Sequence, residues 1–148
     1  MADVERNIDT VRRVEEAYAA RDYDTLRTLI VDDLSAHTPG SELMPAGIDG
    51  AIAANEGGFG FYPDKQVRIN SLFGEGDRTV AHMTMSGTNT GQPIGFLGLT
   101  EPTGRSVVVD WIQIARHDDQ GKIAETWAQM DVPAMMAQLG LMPAPEEA

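Results

Sequence analysis

The hydrophobic period of this chain changes once, near Lys65, and that change limits the fold more than any single motif does. Before it, apolar residues recur at helical spacing; after it, they alternate. A first helix is expected from Asp3, a plausible N-cap, to Ala20, with Val4, Ile8, Val11, Val14 or Glu15, and Tyr18 on one stripe. Asp22 or Asp24 caps a shorter helix carrying Leu26, Leu29 and Ile30. Asp32-Asp33 then turns into a short extended piece, Leu34–His37, which Pro39-Gly40 ends. A third helix is expected from Ile48 to about Asn55, stopped by Gly57-Gly58. Beyond the change, Gln66–Phe73, Arg78–Thr90, Ser106–His117 and Lys122–Met130 read as strands separated by Gly/Asp turns. Helices first and strands afterwards indicate an α+β fold, in which a curved, largely antiparallel four-stranded sheet packs its concave face on the helices. Between two strands lies Gly91–Ser106, a long loop of the kind used as a lid or left as a disordered tip.

With 148 residues and 42% hydrophobic content, the chain can bury a core as one domain, 1–148, without staples. A formal net charge of −12 repels phosphate backbones and anionic bilayers, so neither nucleic acid nor a membrane is an expected partner. The lack of cysteine excludes disulfides, thiolate nucleophiles and Cys-ligated zinc. No run approaches the ~20 apolar residues of a membrane span. The N-terminal stretch alternates charged with apolar residues instead of carrying a signal-type apolar core, and a cytoplasmic protein is expected. His37, His82 and His117 fall on different elements without His-x-His or His-Glu-x-x-His spacing, so no metal site is expected. No nucleophile elbow, phosphate loop or dinucleotide fingerprint occurs.

If the chain is an enzyme, its chemistry is expected within Gly121–Gly140, where an apolar strand hands over to a helix. Alternation from Lys122 to Met130 puts Ile123, Glu125, Trp127 and Gln129 on one face, and Asp131 shares the face of Trp127. Pro133 fits the first turn of the helix, Met135, Met136 and Leu139 its apolar stripe, and Gly140 its stop. Asp131 is therefore either a reactive carboxylate or an N-cap worth ~1 kcal/mol. On the earlier strands, Ala81, Met83, Met85 and Asn89, and Val107, Val109, Trp111, Gln113 and Ala115, form the more apolar sets and are placed inside. With Trp127, Gln129 and Asp131 they outline an apolar cavity holding a few polar groups, the usual make-up of a small-molecule site. Eight methionines suit an irregular hydrophobic ligand. Tyr18 on the first helix reaches towards this space or joins the core, His37 stands at its rim, His82 falls on the outer face and His117 at a solvated hairpin turn.

Further residues carry a resemblance. Ala36-His37-Thr38-Pro39-Gly40, Phe61-Tyr62-Pro63-Asp64, Gly76-Asp77, Gly87-Thr88-Asn89-Thr90-Gly91, Gly95-Phe96, Thr103-Gly104-Arg105, Gly121-Lys122-Ile123, Glu125, Trp127, Asp131 and Gln138-Leu139-Gly140 occur in the order seen in the SnoaL-like polyketide cyclases. From about Asn7 to Pro143 the chain resembles that family. The resemblance implies the nuclear transport factor 2-like (cystatin-like) cone: three N-terminal helices closing a strongly curved antiparallel sheet around a deep apolar pocket, with a short C-terminal helix. It also implies a homodimer through the outer face of the sheet, and intramolecular C–C bond formation of the lyase or isomerase type without cofactor or metal. In the ring-closing members an Asp matching Asp131 is general acid/base for an aldol condensation. Here Asn89 stands where the family commonly has His, so it can orient an oxygen but not shuttle a proton. His82 and Met83 replace a common Arg and Trp.

The expected function is ring closure on a lipophilic polyketide-derived substrate in antibiotic biosynthesis. Asp131 moves the proton and Asn89 or Gln113 holds the enolate oxygen, while Trp111, Trp127, Met83, Met85, Tyr18, His37, Phe96 and Gln129 contact the substrate. Three alternatives remain. One is [4+2] closure directed by pocket shape, of the type that forms the indane of indanomycin. Another is epoxide opening or isomerisation, which wants an inward Arg. The third is ligand binding without turnover.

Overall fold

The helical period at the start becomes α1 (Asp3–Ala20), which buries Val11, Val14 and Ala17. The computed structural model describes residues 3–143. Asp22, and not Asp24, caps α2 (Tyr23–Leu29), its carboxylate accepting the Thr25 N–H at 3.2 Å. Ile30 does not continue that helix. It opens β1 (Ile30–His37), because the cap residue is already extended, and the Asp32-Asp33 pair that reads as a turn lies instead in an irregular stretch of this strand. Between the pairs Ile30↔Ile123 and Ser35↔Glu125, β1 spends three more residues than its partner, so both aspartates are held out in solvent.

Helix α3 (Ile48–Phe61) runs through Gly57, Gly58 and Gly60 instead of ending before them. What ends it is Pro63, which disfavours the helical conformation at the preceding Tyr62 (φ −125°). Four antiparallel strands follow: β2 (Gln66–Glu75), β3 (Arg78–Thr88), β4 (Ser106–His117) and β5 (Ile123–Met130). With β1 added in parallel to β5, the sheet has five strands in the order β1-β5-β4-β3-β2, one more than the alternation alone reveals. Helix α4 (Val132–Gln138) follows β5 directly. The Leu141 N–H bonds the Met136 carbonyl and the Gly140 N–H the Ala137 carbonyl, with Gly140 at φ +82°, so the helix closes in a Schellman motif at the residue its sequence marks.

Bulges in β2 and at the β4–β5 turn, together with the β1 irregularity, bend the sheet around the helices. Two clusters fill the concave side. One joins α1 and α2 to the sheet through Val11, Val14, Leu26, Leu29, Met83, Ala115 and Ile123. The other joins Tyr62, Met85, Ile94, Val107, Val109 and Leu139, so that α4 and the loop after β3 cover that part of the cone. Val67 packs against both.

Candidate active site

Strand β4 supplies the inner wall as its alternation predicts: Val107, Val109 and Ala115 are buried and Trp111 and Gln113 half-buried. The Trp111 indole N–H is shut off from solvent and finds no acceptor among the described residues. The Gln113 amide likewise makes no hydrogen bond among them. On the neighbouring β3, Met83 and Met85 are fully packed and belong to one core cluster each. They form the wall's backing and present little surface to a ligand.

The inner face of β5 differs from expectation. Arg116 pairs with Glu125 but His117 pairs with Ile123, so Ala124 is an extra residue and the alternation changes phase there. Ile123, Thr126 and Ala128 are therefore buried together, and Trp127, Gln129 and Asp131 fall on the outer side of the sheet instead of its concave face. Outside, the Trp127 ring stacks on His37 (5.5 Å between centroids, 16° between planes) and carries the Arg78 guanidinium at 4.8 Å. His37 Nε2 lies 2.8 Å from Glu125 Oε2, and Arg116 Nε donates to Oε1 of the same carboxylate at 3.2 Å. These bonds, that of His37 first, hold the Glu125 carboxyl below its ordinary pKa. His37 is thus not a rim residue of the cone.

Asp131 is exposed and accepts the Ala134 N–H at 3.1 Å, the geometry of an N-cap. With Gln129, Asp110, His82 and Ile112 it borders a shallow, open groove of 290 Å³. In that groove His82 Nε2 lies 3.1 Å from Asp110, which also accepts the Thr84 hydroxyl at 2.8 Å.

Asn89 is fully buried, and its amide is already committed. It donates to the carbonyls of Phe61 (2.9 Å) and Gln92 (3.1 Å) and accepts the Thr103 N–H (2.8 Å). Its backbone completes the arrangement, the N–H donating to the Arg105 carbonyl at 2.9 Å and the carbonyl accepting the Gly104 N–H at 2.8 Å. Both ends of the loop after β3 are therefore tied to one residue. Gly91 permits the crossing, since a Cβ there would lie 2.0 Å from the Gly60 carbonyl oxygen. Ile94 roots the loop in the core, whereas Phe96, on a short 3₁₀ turn (Gly95–Leu97), is exposed with its ring edge-on to Phe61. His117 is not solvated at its turn. It is buried between the Thr79 hydroxyl and the Gly121 carbonyl, each 2.9 Å away, and burial lowers its pKa.

Facing the sheet from α1, Tyr18 is half-buried as its stripe implies, and burial, then the charge of Glu15, raises its pKa. Glu15 is the residue the pattern did not single out. It sits one helical turn before Tyr18, deep among protein atoms, and burial pushes its carboxyl up to about 7 against the opposing charge of Lys65. It makes no hydrogen bond or ion pair among the described residues. Lys65 itself donates to Asn55 at 2.8 Å and rests 4.5 Å above the Phe59 ring. The sequence signal was only that Glu15 competes with Val14 for the buried stripe. Among the described residues no group of three or more His, Asp or Glu could hold a metal ion, and no helix is long and apolar enough to cross a membrane.

The fold is shared with solved structures. IdmH from Streptomyces antibioticus, a candidate polyketide cyclase, is 30% identical over 90% of this chain and 98% of its own, with a TM-score of 0.76. TsrD from Streptomyces laurentii is 29% identical over 90% and 94%, at 0.78. AclR from Streptomyces galilaeus, a candidate hydroxylase at 22% identity, 97% and 91% coverage and 0.79, shares the fold. No curated protein sequence matches significantly. The SnoaL-like polyketide cyclase family model matches residues 8–139, nearly the whole chain, and the protein belongs to that family.

Proposed function

We propose that this protein is a cofactor-free cyclase that closes a carbocyclic ring on a lipophilic, polyketide-derived substrate in natural-product biosynthesis, by proton transfer at a carbon α to a carbonyl. The observation that carries the reading is the Trp111 indole N–H, a dry donor with nothing to donate to on an otherwise apolar wall. Such a donor costs about 1–3 kcal/mol while unpaired. A ligand oxygen removes that cost, and an oxygen that gains negative charge as the enolate forms removes more of it in the transition state than in the ground state. Gln113, two residues along the same face, offers a second donor. Asp131 has no part in this reading beyond capping α4. A shape-directed [4+2] closure is the second reading. It is favoured by the inner faces of β3 and β4, which carry no titratable side chain from Ala81 to Asn89 or from Val107 to Ala115.

The test is product formation from linear polyketide ketones by wild type, Trp111→Phe and Asp131→Asn, read by mass spectrometry and chiral chromatography. Wild type and Asp131→Asn are expected to cyclise at similar rates and Trp111→Phe about 100-fold more slowly. An unimpaired Trp111→Phe enzyme would favour the pericyclic reading. Bound but unchanged substrate with wild type would leave a binding protein. The same reading makes the molecule a homodimer through the outer sheet face, where Phe73, Val108 and Ile112 are exposed.

A further inference from the structure

We propose that the Tyr62 ring is a plug that closes the concave wall and swings aside to admit ligand, on the compliant glycine turn that ends α3. The inference rests on the cyclase reading, because the Trp111 indole N–H is shut off from solvent and a ligand oxygen can meet it only if the wall opens. Position identifies what must move. The pairs Gly87↔Val107, Met85↔Val109 and Met83↔Trp111 put Gly87 and Trp111 on one face, about 13 Å apart along the strands. Gly87 is the last inner-facing residue of β3, so it marks the rim of the sheet, and Trp111 lies deeper. Tyr62 stands on that glycine, where a Cβ would lie 2.7 Å from the Tyr62 Cβ, and shares a packed cluster with Met85, Val107 and Val109. Its ring therefore covers the apolar floor between the rim and the donor.

Two features make Tyr62 a movable group instead of a fixed piece of core. Its side chain is only 4% exposed, yet its hydroxyl is dry and finds no partner among the described residues. An unpaired buried hydroxyl costs free energy that is recovered when it reaches water, so the closed position is less stable than a phenylalanine would make it. The second feature is the backbone that carries it. Tyr62 is the C-cap of α3, its N–H donating to the Gly58 carbonyl at 2.8 Å, and just before it come Gly57, Gly58 and Gly60, none at positive φ. A Cβ at Gly57 would meet nothing, and at Gly58 and Gly60 only the side chains of Lys65 and Gln92. No backbone crossing demands glycine here, as one does at Gly91; what the three provide is a turn that loosens readily. The Asn89 amide pins the Phe61 carbonyl at 2.9 Å, which sets the hinge between Phe61 and Tyr62.

The ligand that this arrangement admits carries an apolar ring. Withdrawing a phenol from among Met85, Val107, Val109 and Leu139 leaves a dry space of six-membered-ring size, with the Trp111 N–H further in along the same face. Outside the plug, the exposed Phe96 ring lies edge-on to Phe61, 6.0 Å between centroids, and offers a lipophilic molecule its first contact. Without ligand, the Tyr62 ring covers the wall and leaves its own hydroxyl unpaired. With ligand, the wall stays covered and the hydroxyl reaches water, so binding selects the open position.

The experiment uses the intact protein and 2-tetralone, an apolar bicyclic ketone whose oxygen can accept from the Trp111 N–H. Indole-¹⁵N and ring-¹³C-tyrosine labels follow Trp111 and Tyr62 by NMR, each resonance identified by its absence in Trp111→Phe and Tyr62→Phe. The wild type is expected to show saturable shifts of both resonances with one common affinity. Tyr62→Phe, which removes the unpaired hydroxyl and so favours the closed position, is expected to bind the probe about fivefold or more weakly. Gly57→Ala should weaken it about fivefold, and in the free protein should slow amide hydrogen exchange at residues 57–62 by a similar factor. A Tyr62 that served only the core would become more stable as phenylalanine with probe affinity unchanged. That result, a Trp111 shift without a Tyr62 shift, or no binding to the wild type overturns the proposal. If both resonances move and no linear polyketide is cyclised, the cyclase reading fails and the plug stands. Cyclisation with Tyr62 stationary does the reverse.

Discussion

Glu15 and His117 tie the stability of this fold to pH in opposite directions. His117 is held neutral by burial, so the folded protein resists a proton that the unfolded chain accepts at its ordinary value of about 6.5. Stability is therefore lost as pH falls below that value. Glu15 has a folded pKa of about 7 against 4.5, so the folded state keeps a proton that the unfolded chain releases, and stability is lost as pH rises from 4.5 to 7. Glu15→Gln is accordingly expected to be more stable than wild type at pH 8 by about 1–3 kcal/mol, with the gain vanishing near pH 4.5. Denaturant titrations across that range measure it, and a pH-independent difference would show Glu15 to be an ordinary carboxylate. Lys65→Met should move the midpoint of Glu15 upward, since Lys65 is the charge that lowers it. Replacing His117 by Leu should cost about 2–3 kcal/mol at pH 8, because the Gly121 carbonyl and the Thr79 hydroxyl lose their buried partner.

Each element joins its neighbours through one or two residues, and those junctions decide what the chain reveals of itself. Asp131→Ala should lower stability by about 1 kcal/mol, and Asp131→Asn by much less, since asparagine also caps. Asn89→Ala should cost about 2–4 kcal/mol, because three backbone groups lose a buried partner, and should expose the loop after β3 to limited proteolysis. The alternation of β3 and β4 was legible because neither strand is interrupted, so Trp111 and Gln113 fell on the side their spacing predicts. In β5 the same reasoning lost phase at Ala124. A bulge is set by pairing with the next strand and leaves no mark in the periodicity of its own. The glycines of α3 misled for a related reason. Gly58 and Gly60 mark close packing against Lys65 and the loop at Gln92, Gly57 faces open space, and the stop comes from Pro63.

For the whole molecule, the segregation of helical and alternating patterns was sufficient to read the α+β cone, while the parallel edge strand β1 was half hidden by Asp32-Asp33. The outer sheet face combines exposed Phe73, Val108 and Ile112 with the stacked Trp127, and sedimentation of the wild type is expected to show a dimer. Ile112→Asp should give a folded monomer with an unchanged circular dichroism spectrum; an unshifted sedimentation coefficient would place the contact elsewhere. Glu15 escaped the sequence because burial of a helical glutamate is a property of what packs on it, and that is decided by residues far along the chain, such as Lys65.

The loop after β3 leaves and re-enters the body at a single asparagine, which binds Thr103, Gly104 and Arg105 at its far end. Most of the entropy of closing it is thus settled at its two feet, independently of what lies between. Doubling the intervening segment would cost only about 0.6 kcal/mol. Apart from Ile94, Leu97 and Leu99, which pack into the core, the segment is thus an exchangeable cassette: its length and composition can drift, or be engineered, while the cone that carries it keeps its shape.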